Sequence, residues 1–153
     1  MSSRCVPACF WCATKKKVVH NNSYSIFFGK TILLVDDSSI SNSIVRMMLE
    51  HNGAKILTAE NGDEAFLTFC ENPEFSINAI LMDLAMPVMD GIEACKKIRN
   101  SNRADSKVIP IIAFTANDDG GYRKKCDEVG MTDFLTKPLE PNKLLHHLSL
   151  YLE

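Results

Sequence analysis

The sequence lacks an apolar run approaching the roughly 20 residues that a membrane span needs. It also lacks a charge imbalance: 17 Lys and Arg stand against 19 Asp and Glu, for a formal net charge of −2. A bulk electrostatic pull towards nucleic acid or an anionic membrane is thereby excluded. No clean signal-peptide cleavage site is present. Arg4 precedes a short apolar patch, but Lys15, Lys16 and Lys17 follow it. The six cysteines do not read as a disulfide framework. Cys70, Cys95 and Cys126 sit singly on apparent helix faces, where a free Cys acts as a small hydrophobe. That usage points to a reducing, cytoplasmic setting. What remains is 153 residues with 46% hydrophobic and 24% charged content, enough for one globular domain with a real core.

Residues 1–28 differ from the rest. They hold Cys5, Cys9 and Cys12, the basic run and the polar HNNS, with no sustained period of 2 or 3.6. They read as a poorly ordered leader ahead of a domain over 29–153. From Gly29 onward the pattern is regular. Thr31–Val35 is a strand. Ser39–Asn52 is a helix with Ile40, Ile44, Met47 and Met48 on its apolar face, stopped at Gly53. Lys55–Ala59 is a second strand, and Asn61 with Glu64 forms a capping box for a helix that turns Ala65, Phe66, Phe69 and Cys70 inward. Ala79–Met82 is a third strand, followed by a helix marked by Ile92, Cys95 and Ile98. Val108–Phe114 is the fourth strand, then a helix Asp118–Val129 closed by Gly130. A short fifth strand ends at Asp133–Leu135, and Glu140–Leu152 is the last helix, with Leu144, Leu145, Leu148 and Leu152 on one face.

Strand and helix thus alternate along the chain. Nearly continuous apolar strands mean burial on both sheet faces, as in a parallel sheet covered by helices. Right-handed crossovers make this an open doubly wound α/β fold, whose ligands bind beyond the carboxyl ends of the strands. The loops there carry Asp36 and Asp37 after strand one, Asp83 after strand three, Thr115 and Ala116 after strand four, and Lys137 and Pro138 after strand five.

Each of these residues has an ordinary explanation. Asp37 or Ser38 can cap a helix, Asp83 can be a turn residue, Thr115 another cap and Lys137 a solvated lysine. Taken together they require a coincidence at every equivalent strand end. Their chemistry instead interlocks. Clustered carboxylates make a hard oxygen site of the kind Mg²⁺ favours, with water and phosphate oxygens completing it. A carboxylate can also act as nucleophile and become an aspartyl phosphate. An ammonium and a hydroxyl suit the remaining phosphoryl oxygens. Asp83, alone on the central strand, is the better nucleophile, leaving Asp36 and Asp37 to hold metal.

In this order VDDSS, LMDLAMPVMDG, FTAN and FLTKPL resemble the receiver domain of two-component response regulators, from about Gly29 to Leu152. The resemblance implies a flavodoxin-like fold of five parallel strands in the order 2-1-3-4-5 with five helices. (The chemotaxis member of the family is itself a standard example of that order.) It implies phosphorylation of Asp83 by a histidine kinase or histidine phosphotransfer protein, with Mg²⁺ or Mn²⁺ held by Asp36, Asp37, Asp83 and the backbone carbonyl of Ala85. It makes Thr115 the switch hydroxyl, with Ala116 beside it, and Lys137 the phosphoryl-binding lysine. Pro138 would follow a cis bond, and Phe134 would be the switch aromatic. The rival account of Phe134 is a plain core aromatic. Phosphorylation would draw Thr115 inward, let Phe134 turn into the space, and change a surface that an output protein reads. Ala85 and Asn117 would flank the path of hydrolytic water and so set the lifetime of the phosphoryl group. The wording of FTAN and MPVMDG is closest to receivers attached to hybrid sensor kinases.

CVPACFWC resembles the cluster-binding motif of radical SAM enzymes, but the barrel such enzymes need does not follow. A zinc site there would need a fourth ligand, with His20 the near candidate. Two other functions compete with a switch. An aspartyl-phosphate phosphatase would carry D-x-D on one strand, whereas Asp83 is followed by Leu84 and Ala85. A pseudo-receiver acting only as a protein-binding module would have lost a site residue, and none is lost. The expected protein is a switch rather than an enzyme, binding neither nucleic acid nor membrane directly, with no output domain after the last helix.

Overall fold

The structure, a computed structural model, describes residues 26–116 and 120–152. Five strands, β1 (Thr31–Val35), β2 (Lys55–Ala59), β3 (Ala79–Met82), β4 (Ile111–Thr115) and β5 (Asp133–Thr136), form one parallel sheet in the order β2-β1-β3-β4-β5. Five helices alternate with them: α1 (Ser39–His51), α2 (Gly62–Glu71), α3 (Gly91–Asn100), α4 (Gly120–Val129) and α5 (Pro141–Leu152). This is the flavodoxin-like order expected from the resemblance. Among the described residues no helix is long and apolar enough to cross a membrane.

The period of two along each strand sorts the core into two halves. Leu33, Val35, Ile80, Met82, Ile111 and Ala113 face α2, α3 and α4, where they meet Ala65, Phe69, Cys95, Ile98 and Cys126. Ile32, Leu34, Leu81, Ile112, Phe114 and Leu135 face α1 and α5, where they meet Val45, Leu49, Leu144, Leu148 and Leu152. The residues of β1, β3 and β4 are buried apart from a half-buried Thr31, which explains why these strands read as unbroken apolar runs. β2, at the edge, exposes Lys55 and Thr58.

Caps fix the helix starts. The Ser38 hydroxyl accepts from Ser41 N, Asn61 Oδ1 from Glu64 N at 2.9 Å, and Asp90 Oδ1 from Glu93 N at 2.8 Å. Glu64 Oε2 reaches back to accept from Glu60 N at 2.8 Å. Gly53 and Gly130 follow α1 and α4 with φ of +92° and +85°, values suited to glycine.

Several sequence expectations need correction. β4 begins at Ile111, not Val108, which is 67% exposed. The carbonyl of Asp105 accepts from both Val108 N and Ile109 N, closing a turn, and Pro110 has no N–H to offer a sheet. The inward face of α1 is Val45 and Leu49, with Met48 partly buried; Ile40, Ile44 and Met47 are 74%, 63% and 71% exposed. Two adjacent helix faces are apolar, and periodicity alone does not say which meets the sheet. Cys70 is exposed, because Phe69 takes the inward position. Phe27, assigned to the leader, is fully buried against α1 and α5, and its N–H donates to Asn52 O at 3.0 Å. Leader residues 1–25, including Cys5, Cys9, Cys12 and His20, lie outside the described residues, as do Asn117 and the expected start of α4 at Asp118.

Candidate functional site

Strand β1 lies between β2 and β3, with Val35 paired to Met82. The next residue on each strand is an aspartate, so Asp36 and Asp83 leave the sheet side by side. Asp36, Asp37 and Asp83 can each present a carboxylate oxygen within 4.8 Å of the others. Asp36 and Asp83 are buried and Asp37 is exposed, so the group has a buried floor and one exposed wall.

Asp36 is held on several sides. Its Oδ1 accepts from Ser38 N at 2.8 Å, and its carbonyl accepts from Asn42 Nδ2 at 2.7 Å, tying it to the first turn of α1. Its Oδ2 lies 2.6 Å from Lys137 Nζ. Asp83 is held more loosely: Ala85 N donates to its Oδ1 at 3.3 Å and Lys137 Nζ to its Oδ2 at 3.2 Å. Burial pushes the Asp83 carboxyl above its usual range; the Lys137 charge pulls it back, and the negative charge of Asp36 adds to the rise. Burial alone would lower the Lys137 ammonium, but its hydrogen bond to Asp36 and the charges of Asp83 and Asp36 outweigh that, and its pKa is raised. The lysine therefore carries its charge firmly and occupies the position of a built-in counter-ion.

The other expected residues lie at the carboxyl ends of β3, β4 and β5, except Phe134, which sits within β5 in the core. Thr115, at the carboxyl end of β4, is buried, and its carbonyl accepts from Lys137 N at 2.8 Å. Ala116 and Ala85 are exposed at the rim. The Lys137–Pro138 peptide bond is cis. Phe134 is buried on the α4 side of the sheet, with the Arg123 guanidinium 5.2 Å from its ring centroid. A cavity beside it is lined by Arg123, Cys126, Met131 and Asp133.

Two participants escaped the sequence reading. Gly91 opens α3 so close to β3 that a Cβ there would stand 2.2 Å from the Asp83 carbonyl oxygen and 2.9 Å from Met82 Cγ. The MDG wording contains this residue, but only the packing shows why it is glycine. Phe114 is the second: its ring lies 4.5 Å below Lys137 Nζ, on the sheet face opposite Phe134. An apolar strand residue beside Thr115 carries no signal of that contact.

A doubly wound α/β sheet with an acidic trio and a lysine at its carboxyl edge defines a class of protein that handles a phosphoryl group or a divalent cation at a topological switch point. The comparisons narrow the class. Residues 32–149 match the response regulator receiver domain. The chain is 39% identical over 114 residues to the transcriptional regulatory protein ResD of Bacillus subtilis, covering 74% of this chain and 44% of ResD. It is 36% identical over 126 residues to the two-component response regulator 24 of Arabidopsis thaliana, covering 80% of this chain and 86% of that protein. The solved receiver domain of the Pseudomonas aeruginosa sensor histidine kinase PA1611, with a magnesium ion coordinated in its active-site cleft, superposes with a TM-score of 0.72 at 34% identity, over 81% of this chain and 98% of that one. The chain belongs to the response regulator receiver domains, the phosphoacceptor modules of two-component signalling. It spans less than half the length of ResD.

Proposed function

We propose that Asp83 is the phosphoacceptor of this receiver and that its donor is a phosphohistidine on a histidine kinase or phosphotransfer protein. The observation that carries this is the Lys137 ammonium bridging Asp36 and Asp83 within the acidic trio. Of the three carboxylates, Asp83 is the one both buried and lightly held, and burial raises its pKa above the usual carboxylate range. Asp36 is committed to Ser38 N and Lys137, and Asp37 faces solvent.

In the transfer, a carboxylate oxygen of Asp83 forms a bond to phosphorus as the P–N bond of the donor breaks. The electron pair returns to the donor imidazole. Lys137 exchanges its contact with Asp83 for a phosphoryl oxygen, and the Thr115 hydroxyl turns to another. The donor set of Asp36, Asp37 and Asp83, with the Ala85 carbonyl at the rim, fits Mg²⁺ or Mn²⁺, which would neutralise the carboxylates and the incoming phosphoryl oxygens together. Phe134, already buried, is the candidate aromatic that reports the movement of Thr115 to the α4–β5–α5 surface. Ile44 and Lys137 line one cavity of about 360 Å³, so the exposed Ile44 lies near the lysine and offers an apolar contact to an approaching donor. The chain acts as a phosphorylation-dependent switch whose state an output protein reads.

Incubation with Mg²⁺ and acetyl phosphate, followed by intact mass, tests the reading. One phosphate is expected on the wild type and none on Asp83→Asn. No adduct on the wild type would favour a pseudo-receiver that only binds proteins. Sustained turnover of external phosphoesters would favour a phosphatase.

A further inference from the structure

The Lys137 ammonium has three N–H donors, and two are directed at Asp36 Oδ2 and Asp83 Oδ2. Its remaining side meets the face of Phe114, with the nitrogen 4.5 Å from the ring centroid, well inside the range of a cation–π contact. The ring is almost fully buried and belongs to the core cluster that holds Leu34, Val45, Leu135 and Leu144, so its position is set by core packing and not by the lysine. It also borders a mostly apolar cavity lined by Ile44, Val45, Met48 and Pro138, with Ser41 as a polar residue in its wall. The ammonium is therefore held by two carboxylates and one buried π face.

These contacts behave differently during phosphoryl transfer. When Asp83 becomes an acyl phosphate, the oxygen that bonds phosphorus gives up its charge and Lys137 must find a phosphoryl oxygen. Asp36, at 2.6 Å, then competes for the whole ammonium. The ring alone is unchanged by the reaction. We propose that Phe114 is a positioning residue for phosphoryl transfer, its π face holding the Lys137 ammonium over the reacting oxygens while its carboxylate partners are exchanged. This rests on Asp83 being the phosphoacceptor. Phe114 packs with α1 and α5, while Thr115, the next residue on β4, falls on the other face of the sheet by the strand's period of two.

Site-specific replacement of Phe114 by 3,4,5-trifluorophenylalanine tests the idea, because fluorine withdraws the negative charge of the ring face at nearly constant shape. The full chain, Mg²⁺ and acetyl phosphate are used, and the rate of phosphate uptake is followed by intact mass. Fluorination is expected to slow uptake by about threefold to tenfold, the range of a cation–π contact at a partly desolvated site, with the melting temperature unchanged. Phe114→Tyr, which keeps the π face, is expected to stay within about twofold of wild type. In a Lys137→Ala background, fluorination is expected to have no further effect on the slow residual uptake, since the ring acts only through the ammonium. A wild type phosphorylated on Asp83 whose rate ignores fluorination overturns the role of Phe114, as does equal slowing with and without Lys137. A wild type that takes up no phosphate, or an Asp83→Asn variant that takes up as much, overturns the phosphoacceptor assignment on which the role rests.

Discussion

Lys137 Nζ lies 2.6 Å from Asp36 Oδ2 across 101 residues of sequence. The contact ties the last loop of the domain to the first, and it places a fixed positive charge where buried negative charges would otherwise repel. Lys137→Met leaves Asp36 buried and unpaired, so a loss of about 3 kcal/mol is expected in urea unfolding at pH 7 without metal. The raised lysine pKa means this contribution is complete below the unfolded lysine value and is lost only as pH rises through the folded one. An unfolding midpoint equal to wild type at pH 7 would count against the bridge.

Asp83 carries a linkage of the same sign in a lower pH range, so at pH 7 its favourable part is already lost. Its folded pKa is raised, chiefly by burial, so the folded state binds more protons than the unfolded one between the ordinary carboxylate range and the raised value. Stability falls as pH rises through that window and the penalty persists above it. Asp83→Asn should therefore melt higher than wild type at pH 7 without Mg²⁺. The gap should close as pH drops below the carboxylate range. A lower melting temperature for the variant at pH 7 would refute the strain assigned to this carboxylate.

Divalent metal should relieve the same strain. At 100 times its dissociation constant, a ligand bound only by the folded state adds about 2.7 kcal/mol. Mg²⁺ is expected to raise the melting temperature of the wild type, and Asp36→Ala or Asp37→Ala to weaken that rise. An identical Mg²⁺ titration in the wild type and both variants would remove these residues from the metal site.

Gly91→Ala forces a Cβ to within 2.2 Å of the Asp83 carbonyl unless α3 retreats from β3. Overpacking of this kind costs about 1–3 kcal/mol. Because the displaced atoms belong to Asp83 itself, phosphate uptake should fall by more than the loss of folded protein explains. Stopped-flow uptake compared with circular dichroism on one sample separates the two effects.

Far from the mouth, Arg103 pairs with the buried Asp105 through two bonds of 3.0 and 2.9 Å, caps the carbonyls of Cys70 and Asn72, and lies 4.3 Å over Phe69. Burial would raise Asp105, but the Arg103 and Phe75 N hydrogen bonds outweigh it, and its pKa is lowered. Its contribution is present above the unfolded carboxylate value and is lost as pH falls through the folded one. Arg103→Met should cost about 3 kcal/mol at pH 7. Phosphate uptake per folded molecule should not change, and a change would mean the two ends of the sheet are coupled.

The fold was readable because its central strands β1, β3 and β4 are apolar on both faces and its helices carry separable caps and stops: Asn61 with Glu64, Gly53 and Gly130 are local signals that the structure obeys. The residues gathered at the mouth were readable for a similar reason, since a parallel sheet sends every strand's carboxyl end to one edge. What stayed hidden depends on rotation and contact. The choice between Val45 with Leu49 and Ile40 with Ile44 as the inward face of α1 is a matter of a fraction of a helical turn, and both sets are apolar. Val108 continues an apolar run, yet Asp105 and Pro110 together keep it out of the sheet. Phe114 and Gly91 have roles only because of what stands next to them in space.

The pairing of Val35 with Met82 sets different tolerances for insertion and deletion along this chain. Residues added to the segment between α2 and β3 lengthen a loop and leave every carboxylate in place, at an entropic cost that grows only slowly with length. One residue removed from β1 or β3 slides Asp36 past Asp83 by a full strand step and turns one of them to the other face of the sheet. The site is thus robust to changes in spacing between its motifs and fragile to changes inside them, and families built on this pairing can diverge in length while the acidic pair stays in register.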